Sequence, residues 1–256
     1  MTGDKLSYLN AGPLQVGDDI NGVRVVKWLG VDPQTGNAMF DKVEFDADGN
    51  PVHKTVNKYD DVFEGMPFGD QRNAQFQYIG STTPKYYGGL INSFSYKNVS
   101  LSVLLNFAYG YLVNNNLKRA YFTDEGNEIL RFNQIKPAAG QVIWQKPGDI
   151  ATEPKRYRNR TDGTLNQYSS RNWEDASHIR VRNIRLGYDL PPNLLKAMKL
   201  RNMNIYASGD NLFVFTKKSF YGLDPEGGLA GEQNPNGIGS GYGASRKFLF
   251  GVQVTF

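Results

Sequence analysis

A two-residue period sustained from Val99 to Val113 restricts this chain more than any other feature. Val99, Leu101, Val103, Leu105, Phe107, Tyr109, Tyr111 and Val113 fall on one parity. Ser100, Ser102, Leu104, Asn106, Ala108, Gly110, Leu112 and Asn114 fall on the other. A strand sends successive side chains to opposite faces, so the pattern predicts one strand with one apolar face. Such a run exceeds the five or six residues usual for a globular strand and would span on the order of 45–50 Å. The last stretch, RKFLFGVQVTF from Arg246, repeats the pattern: Phe248, Phe250, Val252, Val254 and Phe256 oppose Leu249, Gly251, Gln253 and Thr255. Two environments accept such strands. A soluble all-β module would cover the apolar face with a second sheet. A transmembrane barrel would turn it to lipid and keep the polar face for a lumen.

Composition narrows the field without deciding it. The 256 residues suit one large β domain or two small ones. The 28 Gly, 15 Tyr and 15 Phe favour turns and strands over helices. No run of about 18 apolar residues exists, which excludes a transmembrane helix but not barrel strands. The lack of cysteine excludes disulfides, thiolate metal sites and a cysteine nucleophile. A net charge of +4 permits an anionic partner without demanding one. The opening residues MTGDKLSYLN lack the basic-then-apolar order of a signal peptide. The expectation is therefore a cytoplasmic chain or a piece of something longer.

In chain order, Lys5–Leu9 reads as the end of a strand and residues 23–28 as a short strand. Asp32-Pro33-Gln34-Thr35-Gly36 reads as a turn. Ala38–Phe45 and Pro51–Val56 read as a hairpin around residues 47–50. Residues 57–84 are polar and turn-rich, and Tyr86–Tyr96 alternates up to a tight connection at Lys97-Asn98. Residues 115–177 carry no sustained period, and a loop of about sixty residues argues against a compact domain or for a functional loop. His178–Leu190 changes parity midway, which predicts a β-bulge near Arg182-Asn183. With that bulge, Arg180, Arg182 and Arg185 all leave the apolar face. Pro191-Pro192 ends the strand, and residues 193–198 form a turn or one helical turn. Leu200–Phe215 is a long strand with Met203, Ile205 and Ala207 on its apolar side, disturbed at Asp210-Asn211. A Gly-rich loop over 223–245 precedes the last strand.

Chemical motifs are scarce. Asp46, Asp48 and Asn50 begin like a calcium loop, but positions six and twelve hold Pro51 and Asn57 instead of Gly and Glu. His53 and His178 lack metal-ligand spacing and read as polar surface or lumen residues. The pairs among Asp46, Asp48, Asp60, Asp61, Asp224 and Glu226 read as turn and loop carboxylates. The glycines of GIGSGYG lack the strand–helix context of a phosphate loop. Arg and aromatic or apolar residues interleave in KRYRNR, from Lys155, and in HIRVRNIR, from His178. Strand alternation explains the second, the first lies in the long loop, and the charge is low for a nucleic-acid binder. No acid pair or triad marks a β-rich hydrolase. The chain is expected to be neither an enzyme nor a cofactor protein.

An ordered set of short motifs resembles the C-terminal third of SusC/RagA-type TonB-dependent outer-membrane transporters. It comprises residues 30–36, Ile79-Gly80, Pro84, Gly88-Gly89-Leu90, Tyr96-Lys97, Trp144, Pro147-Gly148-Asp149 and Ser169-Ser170. It continues with residues 179–188, Leu190-Pro191, Asn211-Leu212, Thr216, residues 222–226 and Phe256. The resemblance implies a 22-stranded antiparallel β-barrel with an N-terminal plug. It also implies import of oligosaccharides or peptides, powered through the TonB complex, under a SusD-like surface lipoprotein. On this reading the chain is an all-β, C-terminal transmembrane fragment of five to six strands in outer-membrane lipid. Its expected parts are a long loop region at 10–84, a strand hairpin at 85–114, a long extracellular loop at 115–177 and the last three strands at 178–256. The plug and the TonB-contacting part are absent from it. Trp144, Tyr168 and Trp173 in the loop are candidates to stack on substrate, or else they pack the loop down or sit at the membrane interface. Phe256 resembles an assembly signal. A soluble glycan-binding module without transport activity remains the alternative.

Overall fold

The computed structural model describes residues 6–7, 13–14, 17–66, 70–115, 140–156, 169–221, 224–226 and 243–256. The first strand, β1 (Leu6–Ser7), pairs with β2 (Pro13–Leu14). The expected tail of a sixth barrel strand thus closes on its own chain rather than extending the large sheet.

Residues 10–84, expected as a long loop region, carry two small sheets of their own. Strand β3 (Gly22–Val25) pairs with β7 (Gln77–Ser81), and β4 (Trp28–Val31), β5 (Ala38–Phe45) and β6 (Pro51–Val56) form a meander. A 3-10 turn at Asp60–Phe63 and a short helix, α1 (Asp70–Asn73), connect β6 to β7. The sheets enclose Val26, Ala38, Phe40, Tyr59 and Val62. The Phe40 ring meets Trp28 and Tyr59 edge-on at centroid distances of 5.5 and 5.8 Å, a favourable aromatic geometry. The hairpin expected around residues 47–50 is present. Asp46 caps it by accepting the N–H groups of Asp48 at 3.0 Å and Asn50 at 2.8 Å. The carboxylate that suggested a calcium loop is therefore engaged in turn chemistry.

The main body is a five-stranded antiparallel sheet. Its strands are β8 (Tyr86–Tyr96), β9 (Val99–Tyr109), β12 (His178–Asp189), β13 (Asn202–Thr216) and β14 (Lys247–Thr255). Their spatial order is β14-β13-β12-β9-β8. Between β9 and β12 the chain forms β10 (Leu112–Asn114) and β11 (Trp173–Asp175), which pair with each other. Connections at one end of the sheet are short: Lys97-Asn98, with Lys97 at φ 53, and the turn containing α2 (Pro192–Ala197). At the other end they are long, running from Tyr109 to His178 and from Thr216 to Lys247.

The alternation read from Val99 to Val113 spans two strands. Strand β9 has 11 residues, about 36 Å of chain at the usual rise. It stops because Gly110 enters the left-handed region at φ 76 and donates its N–H to Ser177 Oγ at 2.9 Å. The parity of Tyr111 and Val113 continues past the break, which concealed it. The bulge expected in β12 is found. Both neighbours shift register between Val181 and Asn183, and across β13 the shift coincides with Asn211 at φ 53.

Register assigns the faces. Phe94, Leu101, Leu186, Ala207 and Phe250 lie in one cross-strand row, and Tyr96, Val99, Tyr188, Ile205 and Val252 in the next. This face is apolar apart from Asn92, which pairs with Val103, and it is exposed, with Phe94 59%, Leu186 52% and Phe250 81% accessible. Among the described residues no second sheet covers it. The opposite face is mixed but more polar: it carries Ser93, Ser102, Arg185, Ser208 and Leu249 in one row and Ser95, Ser100, Gly187, Tyr206 and Gly251 in the next, with Ile91 and Leu104 beside them. A barrel wall has this asymmetry; a soluble module would cover the apolar side.

Candidate functional site

At the long-loop end of the sheet, β12 presents His178 and Arg180 to the polar face, and the bulge turns Arg182 the same way. Arg180 is 2% exposed. Its Nη2 donates to Asp224 Oδ1, and its Nε lies 2.7 Å from Glu226 Oε2. Arg182 donates to Glu226 Oε1 at 2.6 Å and to Asn211 Oδ1 at 3.2 Å. His178 Nε2 faces Glu226 Oε1 at 3.3 Å, and its Nδ1 lies 3.0 Å from the Ala176 carbonyl and 3.2 Å from the Tyr111 hydroxyl. Asp224 also accepts the N–H groups of Glu226 at 2.9 Å and Ala244 at 3.0 Å. Asn211 reaches the Ser245 carbonyl at 3.3 Å. The network thus ties β12 to both roots of the β13–β14 connection.

Its electrostatics follow from burial and pairing. Burial pushes the Glu226 carboxyl up, but the His178 bond and the Arg180 and Arg182 charges outweigh it and hold it below the usual glutamate range. Burial, followed by the charges of Glu226 and Asp224, pushes the Tyr111 hydroxyl up. Each carboxylate is engaged by cations and by N–H donors, which is what keeps buried charge tolerable. The arrangement ties the loops to the sheet. Among the described residues no group of three His, Cys, Asp or Glu side chains is placed to hold a metal.

These residues correct the reading of Asp224 and Glu226 as solvated loop carboxylates. His178 is 5% exposed within the same network, on the polar face of the sheet. Sequence spacing separates Arg180 from Asp224 by 44 residues, and no local signal links them. The family-like motifs did contain both. His53 lies elsewhere, in the small lobe, where its Nδ1 meets Asp41 at 2.8 Å beside the Gln77 bond to the same carboxylate.

The aromatic candidates occupy different places. Trp144 donates its indole N–H to the Pro33 carbonyl at 2.8 Å, and Gly148 donates to the same oxygen at 2.8 Å. Gly36, at φ +69, lies so close that an added Cβ would sit 2.4 Å from the Trp144 ring. Trp144 therefore fastens the Asp32–Gly36 turn to the Pro147-Gly148-Asp149 turn. It also lines an open cleft with Ile143, Gln145, Lys155 and Arg156. Trp173 is half-buried in β11, and its indole N–H finds no acceptor among the described residues. Tyr168 lies outside the described residues, as does the rest of the basic stretch after Arg156. Phe256, 84% exposed, follows directly on β14.

The loop segments that carry the tryptophans rest on the small lobe. Arg171 pairs with Glu153 at 2.6 Å and lies 5.1 Å from the Trp28 ring centroid. Ser170 donates its N–H to the Val26 carbonyl at 2.9 Å and accepts from the Trp28 N–H at 2.9 Å.

Comparison with known proteins gives a consistent result, although no family model matches the chain. Three TonB-dependent receptors of Formosa agariphila are similar to it. One is 28% identical over 183 residues, covering 70% of this chain and 18% of the receptor. The others are 26% identical over 202 residues and 28% identical over 243 residues, covering 73% and 83% of this chain. Their matched shares are 18% and 22%, so the chain spans about a fifth of the length of these relatives. Among solved structures, the RagAB peptide importer in its closed-closed state superimposes with a TM-score of 0.72 at 25% identity, over 100% of this chain and 25% of that one. The RagAB peptide transporter does so with a TM-score of 0.66 at 26% identity, over 92% of this chain and 23% of that one. Sequence relatives, fold and the ordered motifs agree: the chain is similar to a stretch of TonB-dependent receptors of the SusC/RagA type.

Proposed function

We propose that this stretch forms five neighbouring wall strands and the external loops of an outer-membrane importer of oligosaccharides or peptides. The uncovered apolar face of the main sheet carries this reading. It runs across all the paired strands, while arginine, serine and asparagine are concentrated on the other side, among Ile91, Leu104 and Leu249. Hydrocarbon accepts the first surface, and a water-filled or protein-filled interior accepts the second. The free edges of β8 and β14 would be paired by the remaining strands of the parent receptor, since an open sheet edge is not viable in lipid. Connection lengths support the orientation: short turns face the periplasm, and the long segments with the small lobe face outward.

In the parent receptor, energy comes through the TonB complex by way of parts outside this stretch. A SusD-like surface lipoprotein covers the outward face, where the small lobe and the Trp144 segment lie. One solved neighbour is named a peptide importer and the other a peptide transporter, which favours peptides over oligosaccharides as cargo. Trp144, Tyr168 and Trp173 belong to the loop nearest that cargo. Trp144 presents its cleft-lining side to it, and Phe256 contributes to assembly of the closing strand. The role is transport rather than catalysis.

Paired lysine substitutions in the parent receptor test the reading. Leu101→Lys puts a charge on the lipid side and is expected to cost about 2–4 kcal/mol near the midplane, with loss of membrane assembly. Ser102→Lys, the next residue, points inward and assembles normally. Equal tolerance of both substitutions contradicts the proposal.

A further inference from the structure

On the polar face, Arg185 stands apart from the other cations of the sheet. Arg180 and Arg182 are neutralised by Asp224 and Glu226. Lys247 lies directly across from Asp210 in register. Arg185 is exposed, and no carboxylate pairs with it among the described residues. Its cross-strand neighbours are Ser102 and Ser208.

The side chain is nonetheless held in place. Its Cζ lies 4.0 Å from the centroid of the Tyr206 ring. That ring in turn lies across Gly251 on β14, where an added Cβ would sit 2.4 Å from Tyr206 Cζ. Gly251 gives the ring its seat, and the ring gives the guanidinium a flat support. A guanidinium stacked by its face keeps its N–H edge free for a planar, two-point acceptor. Little rotamer entropy remains to be lost when one arrives. The two carboxylates nearest along the same face already accept amide donors: Asp189 from Asn204 at 2.7 Å and Asp210 from Asn183 at 2.6 Å.

We infer that Arg185, supported by Tyr206 over Gly251, is a docking point for an Asp or Glu side chain from the part of the receptor outside this stretch. Two observations select that occupant. The site is cationic and pre-oriented for a carboxylate. The stretch also accounts for only 25% of the length of the superimposed importer chain, so most of the receptor is available to pack against this face. The inference rests on the barrel reading, in which the polar face looks inward.

The test places a photo-crosslinking residue at Ser208, opposite Arg185 in register, in the full receptor in its outer membrane. The expected result is a crosslink to an acid-containing segment of the same receptor chain. It should fall at least five-fold with Arg185→Gln and persist in large part with Arg185→Lys. Crosslinking only to cargo or to a partner protein overturns the inference, as does a yield unchanged by Arg185→Gln. Failure of the barrel reading is distinguishable: it appears as normal membrane assembly of Leu101→Lys, a position on the face opposite Arg185.

Discussion

Arg180 lies buried on the sheet with its guanidinium joined to the Asp224 carboxylate, a residue beyond the end of the next strand in the chain. Asp224 also binds the Ala244 N–H at 3.0 Å, so one carboxylate anchors a strand and the return of the loop that follows it. Removing it leaves a buried cation only partly compensated by Glu226. Asp224→Ala in the parent receptor is expected to cost on the order of 3 kcal/mol locally. Hydrogen exchange checks this: the amides of Glu226 and Ala244 should lose protection while those of β9 keep theirs.

Acidification should loosen the same network. The folded carboxyl of Glu226 sits below its ordinary value of 4.5, so its contribution is present above that value. That contribution is lost as pH falls through the lower folded value. Limited proteolysis at the roots of the β13–β14 connection should be unchanged between pH 7 and pH 5 and should accelerate only below the usual glutamate range.

Lys217 and Asp175 form an ion pair at the end of β13 that responds at both extremes. Burial raises the Asp175 carboxyl, but the bonds from Lys217 and Ser177 outweigh it and leave it lowered. The bond to Asp175 raises the Lys217 ammonium. The Asp175 contribution is lost as pH falls through its folded value, and that of Lys217 as pH rises through its own. Lys217→Gln should abolish the alkaline response of nearby cleavage and leave the Glu226-dependent acid response intact.

The Gly36–Trp144 contact predicts a strong size limit. An alanine at Gly36 must adopt a positive φ, which costs roughly 1–2 kcal/mol for an L residue, and must also displace the indole. Gly36→Ala should shift Trp144 fluorescence towards that of a solvated indole. Trp144→Phe, which keeps an aromatic ring of smaller size but removes the bond to the Pro33 carbonyl, should cost at least about 1 kcal/mol.

Much of the fold was legible because strand physics writes itself locally. The alternation of β9 and β14, the β12 bulge and the Asp46–Asn50 turn each depend on a few adjacent residues. The end of β9 was hidden because Gly110 breaks the backbone without breaking the side-chain parity of Tyr111 and Val113. The small lobe was hidden because its core unites Val26, Phe40, Tyr59 and Val62 across irregular connections. The Arg180–Asp224–Glu226 network was beyond local reading, since only the topology brings β12 against residues after β13. Trp144 stands out in the sequence for its ring, but its indole N–H and its contact with Gly36 give it a packing role that composition does not reveal.

Spin-label accessibility along β9 of the parent receptor, in a lipid bilayer, tests the central claim most directly. Single cysteines at residues 100–107 would be labelled in turn, using the absence of native cysteine in this stretch. The account predicts a two-residue period: labels at Leu101, Val103, Leu105 and Phe107 meet oxygen dissolved in the bilayer and are shielded from a water-soluble nickel reagent. Labels at the alternate positions show the reverse or are shielded from both. Shielding of the apolar series from oxygen and nickel alike, as beneath a second sheet, would contradict the account.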